Sequence, residues 1–170
     1  MVWRIIQDIR NMSKRKKSSK VITIGGIAAI GAVVVVMALL FAADRRNNDA
    51  RRNIDGIALD AIALTEEYQA EEGKWTRNQY DNSTMIAVVE EYDAKYQAIV
   101  DRASGLDVPD RYKPAQDLLI KAVQSEQQSN LHLRNHIESG SQEEYEKSID
   151  MFSLSLQYSA DYDAAMKSAG

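Results

Sequence analysis

Apolar residues along this chain follow two patterns. From Val21 to Ala43 they form one uncharged block, and beyond residue 54 they recur every three or four positions, as on one face of an α-helix. Ile54, Ile57, Ala61, Leu64 and Tyr68 make the first such face, which is expected to stop near Gly73. A second run begins around Asp81–Ser83, all good N-caps, and carries Met85, Val89, Tyr92, Tyr96, Ile99 and Ala103. Gly105 is expected to close it in the left-handed conformation. The third run starts at "VPDRYKPAQ", where Pro109 and Pro114 suit a first turn because that turn leaves its N–H groups unpaired anyway. Its face is Ala115, Leu118, Leu119, Ala122, Leu133 and Ile137, and Gly140 ends it. Ser141 and Glu144 then fit the S-x-x-E capping box and open a fourth run with Tyr145, Ile149, Phe152, Leu156 and Tyr162. No segment alternates like a strand.

Connections this short make consecutive helices antiparallel neighbours. The expected fold is all-α, an up-down four-helix bundle over residues 54–170. Its first helix continues upward from a transmembrane helix at 21–43 through a polar helical stalk at 44–53, "DRRNNDARRN".

The uncharged block decides the compartment. A helix rising about 1.5 Å per residue over that length crosses a hydrocarbon core of roughly 30 Å. A cleavable signal peptide has a shorter apolar core and a small-x-small site, whereas "LLFAAD" puts Leu40 or Phe41 where a small residue belongs. An uncleaved anchor is therefore expected. A pilin-like spine is the lesser alternative, since no acidic residue lies within the block. Gly25 and Ala29 have the small-xxx-small spacing that lets a second helix approach closely, so both are candidate partner contacts.

Charge gives the orientation. Residues 1–20 hold seven Lys/Arg against one acid, Asp8, and residues from 44 onward hold the other 14 basic groups against 24 acidic ones. A basic head and an acidic body point to two compartments and away from a nucleic-acid surface. The N-terminus is expected in the cytoplasm and the bundle outside, with Arg45, Arg46, Arg51 and Arg52 weakening the bias. Before the anchor, Val2, Ile5, Ile6, Ile9 and Met12 share one helical arc, a pattern for lying in the interface of an anionic membrane. The chain has no cysteine, which excludes disulfides, thiolate metal sites and a lipid-modified cysteine.

Candidate chemistry is sparse. "HLRNH" sets His132 and His136 one helical turn apart, a spacing that can chelate a metal. A third ligand would have to come from Glu71, Glu72, Glu138 or Glu143; without one, the two are surface histidines. Glu126, inside "QSEQQSN", falls near the centre of the buried arc of the third helix, and a buried carboxylate must be paired, hydrogen-bonded or protonated. Tyr92, Tyr96 and Lys95 are candidate partners; a ligand- or ion-binding polar layer competes with a register-fixing one or simply an exposed groove. The tyrosines at 68, 92, 96, 145 and 162 fall at core or boundary positions rather than forming a cage. Trp75 is placed in the first inter-helix loop beside Arg77 and Tyr80, either as a partner anchor or as a lid over the bundle end. "NST" makes Asn82 an N-glycosylation candidate.

"GLDVPDRYKPAQDLLIKAV" followed by "HIESGSQEEYEKSID" resembles small membrane-anchored helical-bundle proteins of prokaryotic, especially archaeal, envelopes. The resemblance covers residues 54–165 and implies an envelope location without lending catalytic residues. The expected function is a non-enzymatic accessory or scaffold subunit. Its partners would be membrane lipid and other envelope subunits or a second copy, with no cofactor. The alternative is an extracytoplasmic ligand- or metal-binding sensing module.

Overall fold

A computed structural model of the chain describes residues 49–169, which lie within one compact unit. The expected interfacial segment at 1–20, the transmembrane helix at 21–43 with Gly25 and Ala29, and the first part of the stalk fall outside them. Among the described residues there are four α-helices and no strand: α1 (Asp49–Thr76), α2 (Asn82–Ser104), α3 (Lys113–Ser139) and α4 (Gln142–Ala169). No helix among them is long and apolar enough to cross a membrane.

The helices run antiparallel in sequence order, as their cross-links show. Asp60 of α1 pairs with Arg102 of α2 at 2.7 Å, Glu90 of α2 with Arg134 of α3 at 3.1 Å, and Ser129 of α3 bonds to Ser148 of α4. Tyr162, late in α4, donates to Asp55, early in α1, at 3.1 Å. The expected faces of α1 and α2 are buried in full, from Ile54 to Tyr68 and from Met85 to Ala103. On α3 all but the half-buried Leu118 are inside. Tyr112, in a 3-10 turn at Asp110–Tyr112 that leads into α3, adds a ring that is 1 % exposed.

The helix ends depart from expectation in three places. α1 does not stop near Gly73 but continues to Thr76. There Asn78 takes φ 57° and donates to the Trp75 carbonyl at 2.9 Å, while the Gln79 N–H bonds Lys74 O at 2.9 Å. That is a Schellman closure with asparagine in the left-handed position, which its short polar side chain tolerates. Gly105 is right-handed (φ −78°), not left-handed. The Gln116 side chain on α3 supplies the missing donors, to Ala103 O at 2.7 Å and Leu106 O at 2.9 Å, so the end of α2 needs no left-handed cap. Gly140 does close α3 with φ 70°. The capping box forms only by half: the Ser141 hydroxyl accepts the Glu144 N–H at 3.4 Å, but the Glu144 carboxylate turns instead to His132, Asn135 and Lys147.

The face of α4 is the main correction. Of Tyr145, Ile149, Phe152, Leu156 and Tyr162, only Tyr162 is buried; Ile149 is 44 % exposed and the others are half-buried. The inward line is instead Ser148, Ser155, Tyr162 and Met166. α3 packs more extensively on α4 than on any other helix. Opposite Ser148 stands Ser129, whose hydroxyl donates to the Ser148 carbonyl at 2.8 Å. A side chain reaches a neighbouring helix's backbone only when the two helices are close, and closeness selects small residues on both sides. Ala122, Ser125 and Ser129 on α3 with Ser148 and Ser155 on α4 meet that condition, and the larger apolar groups of α4 are displaced to its flank.

Replacing Leu119 with Ala should therefore cost about 2–5 kcal/mol. Ile149→Ala should stay within about 0.5 kcal/mol. Ser155→Leu, forced into the serine seam, should cost about 1–3 kcal/mol. Equilibrium urea unfolding followed by the helical circular dichroism signal measures all three, and equal costs at 119 and 149 would contradict the seam.

Candidate functional site

Midway along the bundle a polar layer crosses the core. α3 projects Glu126 inward on the same face as Leu119, Ala122 and Leu133, leaving the residue 8 % exposed. Two helices supply its partners. From α2 the Tyr96 hydroxyl donates to Glu126 Oε1 at 2.9 Å. From α1 the Thr65 Oγ lies 2.9 Å from Glu126 Oε2 and also 2.9 Å from the carbonyl of Ala61, one turn back on its own helix. Tyr96 was an expected partner and Thr65 was not. Lys95, also considered, pairs with Glu91 at 2.7 Å and lies over the Tyr92 ring at 4.1 Å.

Near this acid, the Tyr68 hydroxyl feels the Glu126 charge and the Asn130 amide borders the Tyr96 hydroxyl, yet neither Tyr68 Oη nor Asn130 Nδ2 has a hydrogen bond of ordinary length among the described residues. The buried Gln69 Nε2 on α1 also lacks one. Tyr68 and Asn130 are 3 % and 6 % exposed, so water does not freely satisfy them. Gln69 follows Thr65 by one turn of α1, and Asn130 follows Glu126 by one turn of α3. The Tyr68 ring packs edge-on against Tyr92 (5.4 Å between centroids) and Tyr96 (6.5 Å). Tyrosines thus fill the core with their rings and bring hydroxyls to the layer.

The electrostatics are set by lost hydration. Burial pushes Glu126 up to about 7, against the opposing pull of the hydroxyls of Thr65 and Tyr96. Burial also raises Glu72 to about 6 although its residue is only half-buried by surface, because neighbouring atoms crowd the carboxylate itself. Tyr68 is held well above its ordinary value by burial first and then by the charges of Glu72 and Glu126. No lysine, arginine or histidine forms an ion pair with either acid among the described residues.

The histidine pair lies at the end of the bundle where α3 turns into α4, and each ring is held separately. His132 Nδ1 donates to Glu144 Oε2 at 2.8 Å, where Asn135 also donates at 3.1 Å. His136 Nδ1 donates to the Ser141 carbonyl at 2.9 Å and its ring stands 5.1 Å from Tyr145. Three of the acids considered as a third ligand bond elsewhere: Glu71 to Lys74 and Tyr80, Glu138 to Arg134, Glu143 to Lys147. Among the described residues no group of three or more His, Cys, Asp or Glu is placed to hold a metal ion. Glu144, which the sequence reading assigned to a cap, is the acid that meets His132. His132, Lys147 and Asn135 hold its carboxyl down at about 2.

Trp75 lies in the last turn of α1 rather than in a loop, and it is half-buried. Its indole N–H donates to Asn82 Oδ1 at 3.0 Å, joining the end of α1 to the start of α2. The sequon at Asn82 is exposed in the first turn of α2, where Asp81 caps the Thr84 N–H at 2.8 Å. Of the sequence-level candidates, Glu126 and its expected partner Tyr96 join the central layer, with Tyr68 of the expected core beside them; the histidines, Trp75 and Asn82 belong to the bundle end. Thr65 and Asn130 were not expected there. The signal that could have found them is the one that marked Glu126, a polar residue on or beside an otherwise apolar arc.

Against known proteins, the chain matches no family model, and no curated protein or solved structure shows significant similarity to it.

The folded protein holds Glu126 near 7, whereas the unfolded chain releases its proton near the ordinary 4.5. Between those values the folded state binds the extra proton, so this group's stability is complete below about 4.5 and is lost as pH rises through 7. Glu126→Gln should remove that loss and gain up to about 3 kcal/mol over the parent at pH 8. Urea midpoints at pH 5 and pH 8 test it. An unchanged slope in the variant would assign the effect to another group.

Proposed function

We propose that the chain is a non-enzymatic accessory or scaffold subunit of an envelope or membrane complex. In this reading it is anchored by a single helix at 21–43, with the N-terminus cytoplasmic and the bundle outside. The uncharged run and the charge contrast across it support the anchor. The observation that carries the subunit reading is the flank of α4. There the serine seam leaves Ile149 exposed and Tyr145, Phe152 and Leu156 half-buried, an apolar strip that suits the helix of another protein subunit. Trp75, half-buried at the bundle end, is a second candidate contact, and Gly25 and Ala29 are candidates within the anchor.

Purification of the full chain in mild detergent, with mass spectrometry of accompanying chains, tests the reading. A stoichiometric partner or a homo-oligomer is expected, and Phe152→Glu should release it at least tenfold more readily. Trp75→Ala should weaken it less, because its indole is already engaged with Asn82. Recovery of a monomer at every concentration would end the scaffold reading. Protection of the C-terminal domain from protease added to intact cells would reverse the orientation.

A second reading, an extracytoplasmic sensing or ligand-binding module, is favoured by one observation. The Glu126 layer keeps a buried acid beside two buried polar groups, the Tyr68 hydroxyl and the Asn130 amide, that have no hydrogen bond of ordinary length among the described residues. A bundle core built only for stability gains nothing from such groups.

A further inference from the structure

The hydrogen atoms of the central layer can be counted. Thr65 has one hydroxyl hydrogen. Its oxygen nevertheless sits 2.9 Å from two acceptors, the Ala61 carbonyl and Glu126 Oε2. If Glu126 is ionised, that single hydrogen serves one contact and the other holds two oxygens at 2.9 Å with nothing between them. If Glu126 carries a proton on Oε2, the chain closes. Glu126 Oε2–H donates to Thr65 Oγ, Thr65 donates to the Ala61 carbonyl, and Tyr96 donates to the bare Oε1. Each short contact then contains one hydrogen, and no buried charge is left without a counter-charge.

The surrounding groups give an ionised Glu126 donors to turn to but no counter-charge. From α1 the layer is faced by Tyr68, with Glu72 one turn further on. From α2 it is faced by Tyr96, while Lys95 is engaged with Glu91 and Tyr92. On α3 itself Asn130 neighbours the Tyr96 hydroxyl, and Gln127 is turned away to Asp93 at 2.8 Å. From α4, Tyr145 bears on Glu72 and no titratable group bears on the Glu126 charge. The layer therefore offers an ionised Glu126 no cation. It does offer two donors, the Tyr68 hydroxyl, which feels the Glu126 charge, and the Asn130 amide, which borders the Tyr96 hydroxyl. The Tyr68 ring on α1 packs edge-on against Tyr92 and Tyr96 of α2, so turning its hydroxyl to Glu126 repacks the α1–α2 contact.

We propose that Glu126 is a proton-binding switch. With its proton on, the Ala61–Thr65–Glu126–Tyr96 chain locks α1, α2 and α3 together, and with its proton off, the layer repacks around Tyr68 and Asn130. The proposal rests on the sensing reading and names the proton as what is sensed. Ionisation moves one proton from Glu126 Oε2 to solvent; no other bond is made or broken.

Infrared difference spectra of the full-length chain in mild detergent, labelled with carboxyl-13C glutamate and titrated from pH 5 to 8.5, read the protonated carboxyl directly. Near-ultraviolet circular dichroism of the tyrosines reads the packing in the same samples. The expected result is a protonated-carboxyl band lost with a midpoint near 7 and a tyrosine signal changing with the same midpoint. Both should be absent in Glu126→Gln and retained in Glu72→Gln. A band that survives Glu126→Gln, or no band with a midpoint above 6 in the parent chain, overturns the proposal even if the variant fails to fold. A titration at Glu126 without a tyrosine change overturns the switch while leaving the sensing reading to some other ligand.

Discussion

A carboxyl group in the middle of a helical core constrains everything packed around it. Glu126 has lost its hydration and receives no ionic partner, so its two oxygens must be met by hydroxyls from other helices. Thr65 and Tyr96 meet them, one from α1 and one from α2. This contact fixes the relative height of three helices, because sliding any one of them by a turn would strand the acid. It also explains the tyrosine at 96, since a phenylalanine there would fill the same volume and leave Oε1 bare.

The fourth helix is held by a different rule. α4 packs on α3 through serines and alanines, at a separation where the Ser129 side chain reaches the Ser148 backbone. Small residues give little hydrophobic stabilisation each but allow the close approach that the Ser129–Ser148 bond records. The apolar residues that would otherwise face α3 lie on the flank. One feature of packing thus both secures α4 and leaves the surface on which the proposed subunit contact depends.

These two devices divide the domain into a polar centre and an apolar side. The bundle end is tied by ordinary surface bonds: His132 to Glu144, His136 to Ser141, Trp75 to Asn82 and Lys74 to Glu71. The centre has donors without a bond of ordinary length, and the side has uncovered apolar area. The accessory-subunit and sensing readings therefore draw on separate parts of the molecule, and one chain can carry both.

The sequence by itself determined the helices, their order and most of their inward faces. A 3/4 apolar period admits no other regular structure, and the capping residues Asp81 and Gly140 act through neighbours in the chain. It placed Glu126 at the centre of an apolar arc but left open an exposed groove there, and only the packing of α1 and α2 against α3 buries the acid. What it did not determine are the contacts set by distance between helices. The face of α4 was misread because periodicity ranks residues by hydrophobicity, while a close helix pair selects them by size. The left-handed cap at Gly105 was displaced by Gln116, eleven residues on, and the capping box at Glu144 gave way to His132 on another helix. Thr65 became Glu126's partner because the antiparallel arrangement sets it at the same height across the core. In each case a side chain from a separate element offered a better-placed hydrogen bond than the local one, and only the tertiary structure brings those groups together.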